Sequence, residues 1–529
     1  MDIFTYFSSI FALVALLLLS LSWRRARKGS RSAPEAGGAW PIVGHLHLLR
    51  APVPLVRTLS ALADKYGPVF MIRLGKPRAL VVSNWEAVKD CFATNDKLLA
   101  ARPTTSQGKY LGYDYAVFSF STYNSYWRKV RKLAVVELLS SRRLEKLKHV
   151  WVTELQANIK ELYTTCSISV GSNINPSKNK VINMSQWFEH LTLNLIVKVV
   201  AGRRYEYRSD GVVDKEAECM KKVFKEVMFL WGEVVSGDAI FPLWFFRWLD
   251  YEGHVKTMKR VAKALDAILQ DWVDARKREN GNGKNEDQGF IDVMLSMIDD
   301  QFLEGQTYTR DTIIKATVLS MLQDGSETFS VHFIWILSVL LKNREALQRV
   351  QEEIDANVGR ERWVEDFDIK NLPYLQAVVK ETLRLYPPAP FLVPHEAVED
   401  CTIGGYHIPK GTQLYVNVWK LHRDPQVWSD PEKFSPERFL TNPEDSGAHN
   451  RQFQFVPFGF GRRSCPGMLY ATQITHLAVA RLVQGFNFNT PSNEALDMSE
   501  GLGITMPRAN PLEVVITPRL PSALYRLHH

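Results

Sequence analysis

Ten residues near the C-terminal end, Phe458 to Gly467, read Phe-Gly-Phe-Gly-Arg-Arg-Ser-Cys-Pro-Gly, and no other stretch constrains this chain as much. A lone cysteine in a glycine-rich loop is ordinarily a small hydrophobe or a turn residue. Here Phe458, Gly461, Arg463, Cys465 and Gly467 fill all five specified positions of Phe-x-x-Gly-x-Arg-x-Cys-x-Gly at fixed offsets. That coincidence points to a loop that presents a thiolate to a haem iron.

Each residue then has a role set by that chemistry. Cys465 is the expected metal ligand, because a thiolate pushes electron density onto iron and favours O–O cleavage, whereas histidine suits oxygen carriage or peroxidase work. Gly461 and Gly467 allow the backbone to approach the porphyrin and to turn amides toward the sulfur. Arg463 is expected to pair with a haem propionate through charge-assisted hydrogen bonds. Phe458 is expected to cover the sulfur side of the ring and keep water away.

The chain of 529 residues is longer than a typical single core, yet its composition is evenly globular from about Trp40 onward, without repeats or long low-complexity stretches. One catalytic domain over residues 42–529 is the economical reading. Five scattered cysteines, Cys91, Cys166, Cys219, Cys401 and Cys465, do not form a disulfide framework and suit a reducing compartment. Residues 1–23 are apolar at about the ~20-residue length that spans a bilayer, and Arg24, Arg25, Arg27, Lys28 and Arg31 follow at once. Cations after the apolar run, not before it, favour a retained single-pass anchor with a cytosolic catalytic domain over a cleaved signal. Residues 24–41, basic and then rich in Pro and Gly, read as a stiff hinge. The net charge of +8 owes five charges to that cluster. Membrane lipid is therefore a better partner for it than nucleic acid, which is not expected.

Short Val, Ile and Leu runs around glycines between Asp64 and Ser83, Cys401 and Val418, and Gly503 and Ile516 predict small sheets. Elsewhere helical periodicity dominates, so the fold class is mainly α with small β-sheets. Asp311 to about Leu341 is the longest helical pattern, without proline, and must be a packed central pillar. Gly325 inside it costs about 1 kcal/mol relative to alanine and suggests a local opening where O2 meets the backbone. Glu327 and Thr328 then form a proton-delivery pair.

Glu381 and Arg384 share a helix face at i, i+3, which is common surface decoration on its own. Arg438, in Phe-Ser-Pro-Glu-Arg-Phe, can close a buried Glu–Arg–Arg network with them that clamps the haem loop. Trp127 and Arg131 share a face at i, i+4 and are expected to reach a propionate. Arg128, Lys129 and Lys132 beside them read either as a docking patch for an acidic electron donor or as a solvated basic helix.

Taken together in order and spacing, the Cys loop, Glu-x-x-Arg, Pro-Glu-Arg-Phe, Trp-x-x-x-Arg and the acid–Thr pair resemble a plant microsomal cytochrome P450 from the anchor to the C-terminus. Three phrases, Ala-Gly-Gly-Ala-Trp-Pro-Ile-Val-Gly-His, Val-Pro-His-Glu-Ala-Val-Glu-Asp-Cys and Leu-Asp-Met-Ser-Glu-Gly, resemble its specialised-metabolism branch. That branch includes nicotine demethylases and oxidases of benzylisoquinoline and tropane alkaloids, and members that oxidise flavones, coumarins and homoterpene precursors. The resemblance implies a cytochrome P450 fold with the long helix over haem b, and electrons from NADPH through NADPH-cytochrome P450 reductase. It also implies an endoplasmic-reticulum membrane location and a small-molecule substrate oxidised with O2.

Asp324 departs from the family, which usually has alanine or glycine there against the haem, and Phe329 replaces the common second Thr or Ser. A carboxylate at that place could pair with a protonated amine of the substrate, feed an altered proton relay or hinder oxygen insertion; equally, it could bond only water or nearby backbone. If ionised and desolvated it needs a cationic partner, which favours an alkaloid. His395 stands where many relatives place an arginine near a propionate, and reads as a haem-edge hydrogen bond or as an ordinary loop histidine. By analogy the substrate loops are Ala101 to Ser119, Ala389 to Val393 and Gly501 to Thr505. The expected activity is monooxygenation of an alkaloid by hydroxylation, N-demethylation or oxidative ring closure. The alternatives are oxidation of a flavone, coumarin or terpenoid, a reductase-independent haem-thiolate isomerase or dehydratase, and a non-catalytic haem-binding sensor.

Overall fold

The computed structural model describes residues 31–49, 53–171, 181–205, 215–233, 235–239, 250, 253–281, 289–440, 451–491 and 495–526. In chain order, the elements that position the site are α1 (Leu55–Tyr66), β1 (Val69–Arg73), β2 (Arg78–Val82), α2 (Ser125–Lys132), α3 (Ser141–Gly171), β3 (Val181–Asn183) and α4 (Met184–Ala201). They continue with α5 (His254–Gly281), α6 (Arg310–Lys342), α7 (Arg344–Asn357), α8 (Pro373–Leu385), β4 (His395–Glu396), β5 (Cys401–Ile403), β6 (Tyr406–Ile408) and β7 (Gln413–Val416). The last three are α9 (Met468–Gly485), β8 (Phe486–Asn489) and β9 (Glu513–Pro518).

The pillar expected from the sequence is α6. Thr309 caps it by accepting the Thr312 amide, and it runs unbroken to Lys342. Its second half, Ser330 to Leu341, is buried on every side, as is most of α4. A helix apolar all round must lie inside the protein. α4 lies along α6, and α5, α8 and α9 also pack on it. Phe188 of α4 stacks on Phe333 of α6 with centroids 5.4 Å apart.

Gly325 has a different reason from the opening the sequence suggested. A Cβ there would approach Cδ1 of Ile196 at 3.0 Å, so the glycine serves the close approach of α4 to α6.

The sheets are small, as expected. One has strand order β1-β2-β7-β4, with β2 and β7 parallel; another pairs β5 with β6, and a third has order β3-β9-β8. The C-terminal strand starts at Glu513, not near Gly503; Gly501 to Met506 is a loop, and it bears on the site. The second part of the expected hinge is docked. The Ala36 amide donates to Met71 O at 2.9 Å and the Met71 amide to Pro34 O at 2.8 Å. The expected anchor over residues 1–23 lies outside the described residues. Among those described, no helix is long and apolar enough to cross a membrane.

Candidate active site

The cysteine loop is closed by its own backbone. The Cys465 amide donates to Phe458 O at 2.9 Å and the Ser464 amide to Gly461 O at 3.1 Å. Gly461 takes φ +72°, the left-handed turn that glycine adopts without penalty. The steric demand on it comes from Asp96 and Phe92 O, which a Cβ would meet, and Asp96 also pairs with Arg462 at 3.0 Å. Gly467 leads into α9, and its amide donates to the Cys465 sulfur.

Cys465 carries exposed surface, yet burial dominates its ionisation and pushes the thiol up to about 11. Asp324 on α6 shows the same combination: it has exposed surface, while burial lifts its carboxyl to about 7, against the nearby Ser119 hydroxyl and the charge of Arg102. Both side chains therefore border an interior hollow and not bulk solvent. Cys465 also feels the charge of Asp324, so the cysteine and the long helix border the same space.

Three guanidiniums gather at its edge. Arg463 donates to Ala100 O at 2.7 Å, Phe118 O at 3.2 Å and Ser121 O at 2.6 Å, and lies over the Trp127 ring at 4.3 Å. Arg131 donates to Ser464 O at 2.5 Å. Arg102, which the sequence reading passed over, donates to Ser119 O at 3.1 Å, Val393 O at 2.7 Å and Pro394 O at 2.8 Å. Burial and the neighbouring guanidiniums lower Arg463 to about 8, and burial lowers Arg102 to about 9. None of the three forms an ion pair among the described residues. Gathered cations of this kind call for an anion. A sulfur ligand on one side and a rim of arginines suited to propionates fit haem. Trp127 donates its indole N–H to Phe118 O at 3.0 Å. His395 is buried, its Nδ1 is 2.7 Å from Leu99 O, and burial with Arg102 and Arg463 nearby holds it well below the usual histidine range.

On α6, Thr328 donates its hydroxyl to Asp324 O at 2.5 Å. Glu327 accepts from Thr505 Oγ1 at 2.5 Å, and burial raises its carboxyl despite that bond, helped by the charge of Glu189.

The Glu–Arg–Arg network forms, away from the hollow. Arg384 grips Glu381 with Nε at 2.7 Å and Nη2 at 2.8 Å, and Arg438 Nε adds a bond at 3.0 Å; Glu381 and Arg384 are fully buried. Its link to the cysteine loop runs through His422, unnoticed in the sequence. Arg384 Nη1 donates to His422 O at 2.8 Å, His422 Nε2 accepts the Val456 amide at 3.0 Å, and Val456 O accepts the Gly459 amide at 3.0 Å. No local pattern marks His422, Arg102 or Thr505, since all three act through partners distant in sequence.

Comparison with known proteins agrees with this geometry. The family described as Cytochrome P450 matches residues 34–513. A nicotine N-demethylase of Nicotiana tomentosiformis is 50% identical over 512 residues, covering 95% of this chain and 96% of its own length. A flavonoid-6-hydroxylase of Mentha piperita is 44% identical over 515 residues, covering 97% and 98%. A zebra fish cytochrome P450 solved with progesterone superposes with TM-score 0.72 at 26% identity, covering 88% of this chain and all of that one. The chain belongs to the cytochrome P450 family, as a monooxygenase that holds haem through a cysteine thiolate and takes electrons from a redox partner to oxidise a small molecule with O2.

Proposed function

We propose that this monooxygenase oxidises a plant specialised metabolite bearing a basic amine, an alkaloid. Asp324 carries the reading: it is a carboxyl at the hollow, on the wall facing Cys465. A protonated amine beside it would hold it ionised and orient the substrate by a charge-assisted hydrogen bond. The 50% identity to a nicotine N-demethylase supports the same substrate class. Similarity to a flavonoid-6-hydroxylase favours a second reading, a neutral flavonoid, in which Asp324 serves only Ser119 and Arg102.

Cys465 is the proposed iron ligand, with the Gly467 amide steadying the sulfur and Phe458 closing the loop. Arg102, Arg131 and Arg463 would hold the propionates, beside His395 and Trp127. Bound there, haem supplies O2 binding and O–O cleavage favoured by the thiolate. Glu327 would hold the proton to be delivered and Thr328 would pass it on from its hydroxyl. Electrons would come from NADPH through NADPH-cytochrome P450 reductase. Residues 1–23 would anchor the chain in the endoplasmic-reticulum membrane once, with the catalytic domain cytosolic.

The test is mass spectrometry of products from reductase-supplemented microsomes given labelled O2 with cationic alkaloids, neutral flavones and terpenoids. A labelled alkaloid product is expected, or one short of a methyl group or two hydrogens. Turnover confined to neutral compounds would discard the alkaloid and leave the monooxygenase.

A further inference from the structure

The loop Gly501 to Met506 is fastened to α6 at two successive residues. Thr505 Oγ1 donates to Glu327 Oε1 at 2.5 Å, and Trp335 Nε1 donates to Met506 O at 2.7 Å. The Met506 amide in turn donates to Pro388 O at 3.1 Å, and the Gly501 amide to Pro507 O at 2.8 Å, so the loop is pinned on both flanks. Thr505 and Met506 are buried, while Leu502 and Ile504 are exposed. The loop thus turns Leu502 and Ile504 outward, Met506 into the core and the Thr505 hydroxyl to the acid.

A carboxyl on a helix has two soft torsions beyond Cβ and, when buried, tends to lose its proton reluctantly. A single fixed donor on Oε1 removes the torsional freedom and leaves Oε2 as the oxygen that releases and regains a proton. We propose that Thr505 is the positioning residue for Glu327, holding its carboxyl in the orientation from which a proton moves toward Thr328. The inference rests on the proposed role of Glu327 and gives that role a partner 178 residues away. Because the same loop is pinned to Pro388, beside the second expected substrate loop, displacement of either would be felt at the acid.

The test needs no knowledge of the substrate. The full-length enzyme with reductase and NADPH alone consumes O2 by two balanced routes: O2 with two electrons and two protons gives H2O2, and with four of each gives two H2O. Delivery of protons favours water over peroxide. Thr505→Val, which keeps the shape and removes the donor, should raise the peroxide share of consumed O2 roughly two- to fivefold while the carbon monoxide spectrum stays at full intensity; Thr505→Ser should restore it. If Thr505→Val does not fold, Thr505→Ala is measured in its place. Glu327→Gln should raise the peroxide share at least as much, and the double variant no further. Melting temperatures of the wild type, Thr505→Val, Glu327→Gln and their double variant, which require no turnover, should be non-additive if the bond is present.

A Thr505→Val enzyme with the native partition, beside a Glu327→Gln enzyme whose peroxide share rises, overturns the inference and spares the acid. A Glu327→Gln enzyme with the native partition overturns the reading of the acid and the inference with it.

Discussion

The arginine network behind the cysteine loop and the α6 wall of the site are built by opposite rules. On the cysteine side Glu381 receives bonds from Arg384 Nε and Nη2, Arg438 Nε and the Ser435 amide, and Arg384 also ties down three carbonyls. On the α6 side Glu327 has one hydroxyl donor, Thr505, the Asp324 carboxyl has none within bonding distance among the described residues, and burial raises both. A carboxylate saturated with donors is a strut. One with a single donor or none, in a place of low polarity, keeps its proton to higher pH than a free carboxyl.

The largest effect on the cysteine side comes from removing the sulfur itself. Cys465→Ala should abolish the thiolate-type carbon monoxide spectrum entirely, and a variant that kept it would place the ligand elsewhere. Glu381→Ala comes next, because it leaves buried guanidiniums unpaired; loss of about 3–5 kcal/mol is expected in denaturant unfolding. A loss under about 1 kcal/mol would mean that the network is not a strut.

Asp324→Ala should leave folding nearly intact and weaken binding of amines about tenfold, the order of a charge-assisted bond, while neutral compounds change less than about twofold. Substrate-induced spectral titration measures both. Equal effects would remove the ion pair and leave Asp324 with its protein partners only.

The smallest effect isolates burial on the same helix. His332 lies five residues beyond Glu327, and neither of its ring nitrogens has a partner; burial, with His476 nearby, depresses it to about 3. The folded pKa lies below the ordinary value of 6.5, so the unfolded chain binds the proton first. Stability is therefore full above about pH 6.5 and declines as pH falls from there toward 3. His332→Leu should shrink the drop in stability between pH 7.5 and 5.5 by about 1 kcal/mol. An unchanged drop would show that the ring is hydrated.

Features confined to a continuous segment were legible. The offsets from Phe458 to Gly467 give a turn with Cys465 at its end, and the i, i+3 spacing of Glu381 and Arg384 becomes the bidentate grip. The pillar from Asp311 was legible to within a residue at each end, since its apolar run and Thr309 cap are local. Gly325 was misread because a gap in a helix looks the same whether it admits a ligand or a neighbouring helix; Ile196 of α4 fills it. The C-terminal strand was placed too early because small apolar residues from Gly503 onward suit a strand or a pinned loop equally, and the anchors at Trp335 and Pro388 decide for the loop.

The amino-acid order by itself determined which chemistry this protein carries: a thiolate in a glycine turn, a buried-network pair, and an acid beside a hydroxyl on a long helix. Those follow from covalent spacing and helix period, which hold wherever the segment is found. Only the tertiary structure decided which groups meet: Arg102 with the Asp324 charge, Thr505 with Glu327, and His422 between the arginine network and the cysteine loop. Their partners are far apart in the chain, and the distance between two such residues is set by how helices and loops pack, which no local pattern encodes.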